Sequence, residues 1–132
     1  MRSDAEIKDV FYTLLKGSDL DNVISGSIYK ISRPANSDLE DVTIHVLDGL
    51  NGQVQNVVVN VNVYVLDVNY RVGEFVQDEI RVRELSNLCI KLLDGFSCDD
   101  YLLEIEKQPV FSVEGCNQHV INNRVLFKIM NV

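Results

Sequence analysis

The sequence predicts an α+β domain: a mostly antiparallel β-sheet with a long β-hairpin, and two α-helices packed on it. Three observations lead there. Residues 53–66 alternate, with Val57, Val59, Val61, Val63 and Val65 on one parity and Asn56, Val58, Asn60, Asn62, Tyr64 and Leu66 on the other. A period of two built from β-branched residues is the mark of a strand. Two segments instead carry the helical period, one from Ile7 to Leu15 and one ending at Leu93. Between residues 48 and 52, Asp-Gly and Asn-Gly stand between two alternating runs, a strong short-range hairpin signal. The 132 residues are enough for one domain, 1–132, with its own core.

The elements follow in order. Ser3-Asp4-Ala5-Glu6 reads as a capping box, in which Ser3 accepts from the Glu6 backbone and Glu6 reaches back. Ile7, Val10, Phe11, Leu14 and Leu15 then line one helical face, and Gly17 is the natural stop. Asp19 to Gly26 reads as a loop or short helical turn, and Ser27 to Ile31 as a short strand. Arg33-Pro34-Ala35-Asn36-Ser37-Asp38 is a loop by composition. Asp41 to Leu47 alternates, with Val42, Ile44 and Val46 opposite Asp41, Thr43 and His45, and should pair antiparallel with the long valine strand. Asp67 to Gly73 is expected to be a loop. Ile80, Leu85, Leu88, Cys89, Leu92 and Leu93 predict a helix from about Glu74 or Asp78 to Leu93, stopped by Gly95. Tyr101, Leu103 and Ile105 predict a strand closed by Pro109, and Val120 to Val132 is the last strand. The predicted order is α-β-β-β-α-β-β. The valine parity should pack on the helices through Phe11, Leu14, Leu85, Leu88 and Leu92.

The long strand is at least twice the usual length of about 5–6 residues. Its second parity is the unusual one. Buried amides need partners, so an amide-studded face is a poor core; yet it carries no charge, unlike an ordinary solvated face. Asn56, Asn60, Asn62 and Tyr64 are therefore the candidate self-assembly interface.

Bulk properties weigh against several functions. Hydrophobic content is 46% and charged content 24%, ordinary for a globular domain. A net charge of −8, with 12 Lys and Arg scattered along the chain, is a poor match to tight phosphate binding. No run approaches the roughly 20 apolar residues a spanning helix needs, and no leader is visible, so a soluble protein made in the cytosol, without a membrane partner, is expected. Cys89, Cys98 and Cys116 are odd in number and irregular in spacing, which favours reduced thiols over a disulfide framework.

No constellation specifies catalysis, a cofactor or a metal. Cys116-Asn117-Gln118-His119 has Cys-x-x-His spacing but lacks the second pair a zinc site uses. Glu104 and Glu106 share one strand face, whereas glycosidase carboxylates flank the substrate from opposite sides. Asp19-Leu20-Asp21 begins like a calcium loop, but Val23 and the missing closing Glu spoil it. His45 has no nucleophile motif near it.

The arrangement as a whole resembles the tail-completion or tail-terminator proteins of long-tailed bacteriophages and prophages. The resemblance covers nearly all of residues 5–132. It rests on the amphipathic first helix, on Val23-Ile24-Ser25-Gly26-Ser27-Ile28-Tyr29, on Arg33-Pro34, on the hairpin with its long strand, on Leu92-Leu93-Asp94-Gly95, and on Arg124-Val125-Leu126-Phe127-Lys128-Ile129. Relatives often carry a Pro and an aromatic where this chain has Leu39-Glu40-Asp41-Val42. The resemblance implies a structural virion protein with no catalytic residues. It implies a homo-oligomeric ring, usually a hexamer, at the head-proximal end of the tail tube, which ends tail growth and joins tail to head. Its implied partners are the tail-tube protein and the head-connector protein. DNA would pass through without sequence-specific binding, and the protein would be found in the host cytoplasm during assembly and in the virion tail. Two other classes fit the residues: a small α+β ligand-binding domain, and an enzyme built from Glu104, Glu106, His45 and Cys116.

Overall fold

The structure, a computed structural model, describes residues 3–47 and 56–129. Helix α1 (Asp4–Leu15) begins with the predicted capping box: Ser3 Oγ accepts from the Glu6 amide at 3.2 Å, and Glu6 Oε1 accepts from the Ser3 amide at 3.4 Å. Ile7, Phe11 and Leu15 are buried along its inner face. Gly17 takes φ +80°, the left-handed conformation that ends a helix at low cost only for glycine. The segment after it holds a short helix, α2 (Asp19–Val23), capped by Ser18.

Strands β1 (Ile28–Tyr29), β2 (Val42–Val46) and β3 (Asn56–Leu66) follow, then β4 (Val68–Arg71), β5 (Glu74–Val76) and helix α3 (Glu79–Leu93). The chain closes with β6 (Tyr101–Lys107), β7 (Val110–Ser112) and β8 (Gln118–Ile129). The principal sheet has the order β1-β2-β3-β8-β6, with β7 also paired to β8. Among the described residues, only β1 and β2 run parallel; every other pair is antiparallel. The long elements keep the predicted order α-β-β-β-α-β-β, with α2, β4, β5 and β7 added. The predicted turn at 48–52 lies outside the described residues, but the pairing it implies is present, with Val42 opposite Val63 and Val46 opposite Val59.

One face of the sheet packs on α1 and α3. Val59, Val61, Val63 and Val65 are at most 1% exposed, and Val57 packs at the margin. Phe11 and Leu85 are fully buried against this face, with Leu14, Leu88 and Leu92 partly buried around them, as the periodicity predicts. Phe127 stacks on Tyr101 with ring centroids 4.9 Å apart and lies 6.2 Å from Phe11. Complete burial of such a side chain contributes about 1.5–3 kcal/mol.

Two expectations are corrected. The stretch 67–73 is not a loop and Glu74 does not start the helix. Val68–Arg71 and Glu74–Val76 form a separate two-stranded sheet, turning at Gly73 with φ +77°. The helix starts after Asp78, whose Oδ1 accepts from the Arg81 amide at 3.0 Å. Its inner stripe is Val82, Leu85, Cys89 and Leu93, while Ile80 is 74% exposed. The strand from Tyr101 ends at Lys107, just before Pro109, as expected, and the short strand β7 follows the proline on the same edge of β8. The register slips once between Ile105 and Lys107, after which Lys107 faces Arg124 and Val110 faces Ile121 in a common register. The inserted residue shifts the phase of the edge, so that Gln108 and Val110 turn toward the helices. Pro109, on the sheet edge, loses no ladder donor there, and its carbonyl accepts from Asn122 at 2.9 Å.

Candidate functional site

The face of the sheet turned away from the helices carries the residues of the candidate interface. The register sets rows across it. His45, Asn60 and Arg124 form one row; Thr43, Asn62 and Asn122 form the next; Asn56 lies beside Lys128. Asn56 is exposed, and Asn60, Asn62 and Tyr64 are half-buried. Asn122 Nδ2 donates to Asn62 Oδ1 at 2.7 Å, so two amides satisfy each other across β3 and β8.

Glu104 and Glu106 belong to this face and are both paired. Glu104 meets Lys128 Nζ at 3.2 Å, and Glu106 meets Arg124 Nε at 3.1 Å. The second contact is a close ion pair without hydrogen-bond alignment, since Arg124 Nε lacks a hydrogen-bond partner. Among the described residues, the other buried side-chain polar atoms without a partner are Thr43 Oγ1, Asn60 Oδ1 and Gln118 Oε1. All four lie on this one face of the sheet by register. Unsatisfied buried polar atoms are costly and uncommon in folded proteins.

The segment from Arg33 to Asp41 folds over one end of the same face. The Arg33 guanidinium lies 4.0 Å from the Tyr64 ring centroid, and Gln118 Nε2 donates to the Ser37 carbonyl at 2.8 Å. Tyr64 is thus held from above within its own chain, while Asn56, Val58, Asn60 and Asn62 lie on one side of it along the strand face and Leu66 on the other. Asp41, expected on a polar strand face, is fully buried here. Its carboxylate accepts from the Ser27 amide at 3.2 Å and from Ser37 Oγ, and lies 3.3 Å from Arg33 Nε. Glu40 accepts from the Ser25 amide at 3.2 Å and returns its own amide to Ser25 Oγ at 2.9 Å. Arg81 of α3 meets both Glu40 oxygens at 2.7 Å and donates to the Val23 carbonyl at 2.6 Å. The hydrogen bond to Glu40 raises the Arg81 pKa further above its usual value. Gly26 makes this approach possible: a Cβ there would lie 2.1 Å from Asp41 Oδ1 and 2.5 Å from the Glu40 carbonyl oxygen. The Leu39-Glu40-Asp41-Val42 stretch is therefore the anchor of a buried polar clasp. The signal in the sequence was two acidic residues placed immediately before an apolar strand.

The remaining candidates do not converge. Cys116 is exposed, while His119 Nδ1 lies 2.6 Å from Asp67 Oδ1 at the base of the β4–β5 hairpin. His45 is exposed on the sheet, away from both. Among the described residues, no group of three or more His, Cys, Asp or Glu could hold a metal ion. None of the described helices is long and apolar enough to cross a membrane. Cys89 is buried beneath the sheet beside Asn123, and burial pushes its pKa up to about 12, against the opposing hydrogen bond from Asn123. Asn123 in turn accepts from Gln108 Nε2 at 2.7 Å and donates to the Val61 carbonyl at 3.0 Å.

Two surface features escaped the sequence reading. The β4–β5 hairpin stands off the body with every strand residue exposed, including Val68, Tyr70, Phe75 and Val76; Val72 at its turn is wholly exposed. The alternation Val68, Tyr70, Val72 before Gly73 was its signal. A groove of about 560 Å³ lies between α1 and the start of β6, lined by Glu6, Asp9, Val10, Leu14, Phe96 and Tyr101.

No protein-family profile matches this sequence, and no curated protein matches it either. Among solved structures, the chain is similar to one from the virion of a native gene transfer agent particle, at 14% identity and a TM-score of 0.56, over 95% of each chain. The two share a fold over nearly their whole length.

Proposed function

We propose that this chain is a structural, non-catalytic protein of a phage or phage-like particle that acts as a tail terminator. In this reading its copies close into a ring, of six subunits by analogy with the tail-terminator resemblance. The ring caps the head-proximal end of the tail tube, ends tail growth and joins the tail to the head connector. The observation that carries the proposal is the shared fold with a virion chain of a gene transfer agent particle over 95% of both chains.

The sheet face supports it. Asn56, Asn60 and Asn62 offer uncharged hydrogen-bonding groups, and the ion pairs beside them neutralise Glu104 and Glu106 locally. A surface that must meet a copy of itself gains from such neutrality, because like charges brought together cost several kcal/mol. The net charge of −8 suits a conduit through which DNA slides without being held. The protein would act in the host cytoplasm during assembly and remain in the virion tail.

The test is electron microscopy of particles assembled without this protein. Tails of uncontrolled length, or tails unable to join heads, are the expected result. Particles of normal length and joining would overturn the proposal.

A further inference from the structure

We infer that the β4–β5 hairpin is an arm that docks into the α1–β6 groove of a second copy of this chain, making a head-to-tail contact. The inference rests on the ring reading and names the contact that would build it.

An isolated two-stranded hairpin is marginal in water. This one is nonetheless rich in apolar side chains, with Tyr70 62%, Phe75 45% and Val72 102% exposed. Apolar side chains clustered on a projection, as opposed to scattered singly, mark an interaction surface. The groove offers a matching receptor. Val10, Leu14, Phe96 and Tyr101 supply its apolar wall, and its volume of about 560 Å³ lies in the range that accommodates a bound group. Charge is not the driving force: Arg71 faces Glu74 across the tip of the arm and lies 4.8 Å over the Tyr70 ring, while on the groove Asp9 already meets Lys30 at 2.6 Å and Glu6 spends one oxygen on the helix cap, so the contact rests on the apolar side chains of both parts.

The register rules out closure of the arm on its own groove. The arm leaves β3 at Leu66, opposite Gln118, whereas Tyr101 sits beside Ile129, at the Asn56 end of the same sheet. From Val57 to Leu66 a strand spans about 30 Å. From Asp67 to Val72 the chain reaches at most about 17 Å. An arm and a receptor at opposite ends of one subunit make a heterologous contact, which closes into a ring when the rotation between subunits allows it.

The test uses the full chain, light scattering after size exclusion across a concentration series, and two variants that leave the core alone. Phe75→Asp disables the arm, and Thr13→Arg, at an exposed position lining the groove, blocks the receptor. Each should keep the wild-type thermal transition and raise the concentration needed for assembly at least about tenfold. Mixed in equal amounts, they should form a dimer and stop, because the mixture has one intact arm and one intact groove per pair. If the wild type assembles and both variants assemble equally well, or if the mixture fails to dimerise, the arm proposal is overturned and the ring reading stands. A wild type that stays monomeric to about 1 mM also overturns the arm proposal; the ring reading is then decided by the particle experiment alone.

Discussion

Arg81 clasps Glu40 with two parallel hydrogen bonds, Nε to Oε2 and Nη2 to Oε1, each 2.7 Å long. The pair joins the first turn of α3 to the residues that launch β2. Glu40 is 8% exposed, and its Oε1 also accepts from the Ser25 amide. Bidentate charge-assisted pairs are stronger than neutral hydrogen bonds, and removing one partner strands the other. Glu40→Ala is therefore expected to cost about 2–3 kcal/mol, against less than about 1 kcal/mol for an exposed pair such as Lys30–Asp9. Urea titration of Glu40→Ala and of Asp9→Ala checks the ranking, and equal losses would mean that the clasp adds nothing.

Gly26 faces the same clasp from the other side. Gly26→Ala should destabilise by at least about 2 kcal/mol, because backbone and a buried carboxylate cannot both retreat from the new methyl. Gly17→Ala meets nothing within 4 Å but has φ +80°, so strain alone should cost about 1–2 kcal/mol. Thermal unfolding of the two variants measures both. A Gly26→Ala protein as stable as the wild type would show that the Gly26 approach is not tight in solution.

The three thiols should separate in reactivity. Cys98 and Cys116 are exposed, while Cys89 is buried with its pKa pushed up to about 12. The thiolate is the reactive species, so at pH 8 Cys89 is held almost entirely as the inert thiol. Raised folded-state pKa also sets the sign of linkage. Cys89 favours the folded state less as pH rises through the ordinary thiol range toward 12, because only the unfolded chain releases that proton freely. A thiol reagent should titrate two cysteines in the native protein and the third only in denaturant. Three fast equivalents under native conditions would place Cys89 at the surface.

Asn60→Lys and Asn62→Lys should impair assembly more than folding. Both residues sit on the outer face, half-buried, and a lysine there can extend into solvent in the single chain but not beneath a neighbour. Asn62→Lys also breaks the amide pair with Asn122, which adds about 0.5–1.5 kcal/mol of destabilisation that Asn60→Lys does not share. Light scattering and differential scanning calorimetry together report the split. Loss of a cooperative transition in Asn60→Lys would mean that this face is core.

Local chemistry was legible where one segment carried its own answer. The Ser3–Glu6 box, the stop at Gly17, the valine parity of β3 and the end of α3 at Leu93 all depend on residues a few positions apart, whereas the start of α3 was left open between Glu74 and Asp78. The arm was misread although its alternation was present, because Val68 to Val76 is short and a helical period follows directly after it. The closure of β6 before Pro109 was legible, but the short strand β7 beyond it was not, because a single inserted residue near Glu106 changes the phase of the edge, and phase is visible only against the partner strand. Of the interface candidates, Asn56, Asn60, Asn62 and Tyr64 do share one face, but the sequence could not say that Arg33 would lie on Tyr64.

By itself, then, the sequence determined the α+β class, the long elements and their order, and which parity of the valine strand is dry. Those follow from period and burial, which act along the chain. Only the tertiary structure decided that Glu40 and Asp41 are buried partners of Arg81 and Arg33, that Glu104 and Glu106 are neutralised by Lys128 and Arg124, and that an apolar arm and an apolar groove stand at opposite ends of one sheet. Such facts depend on contacts between residues far apart in the chain, and a charged residue reads the same in sequence whether its partner is water or an arginine.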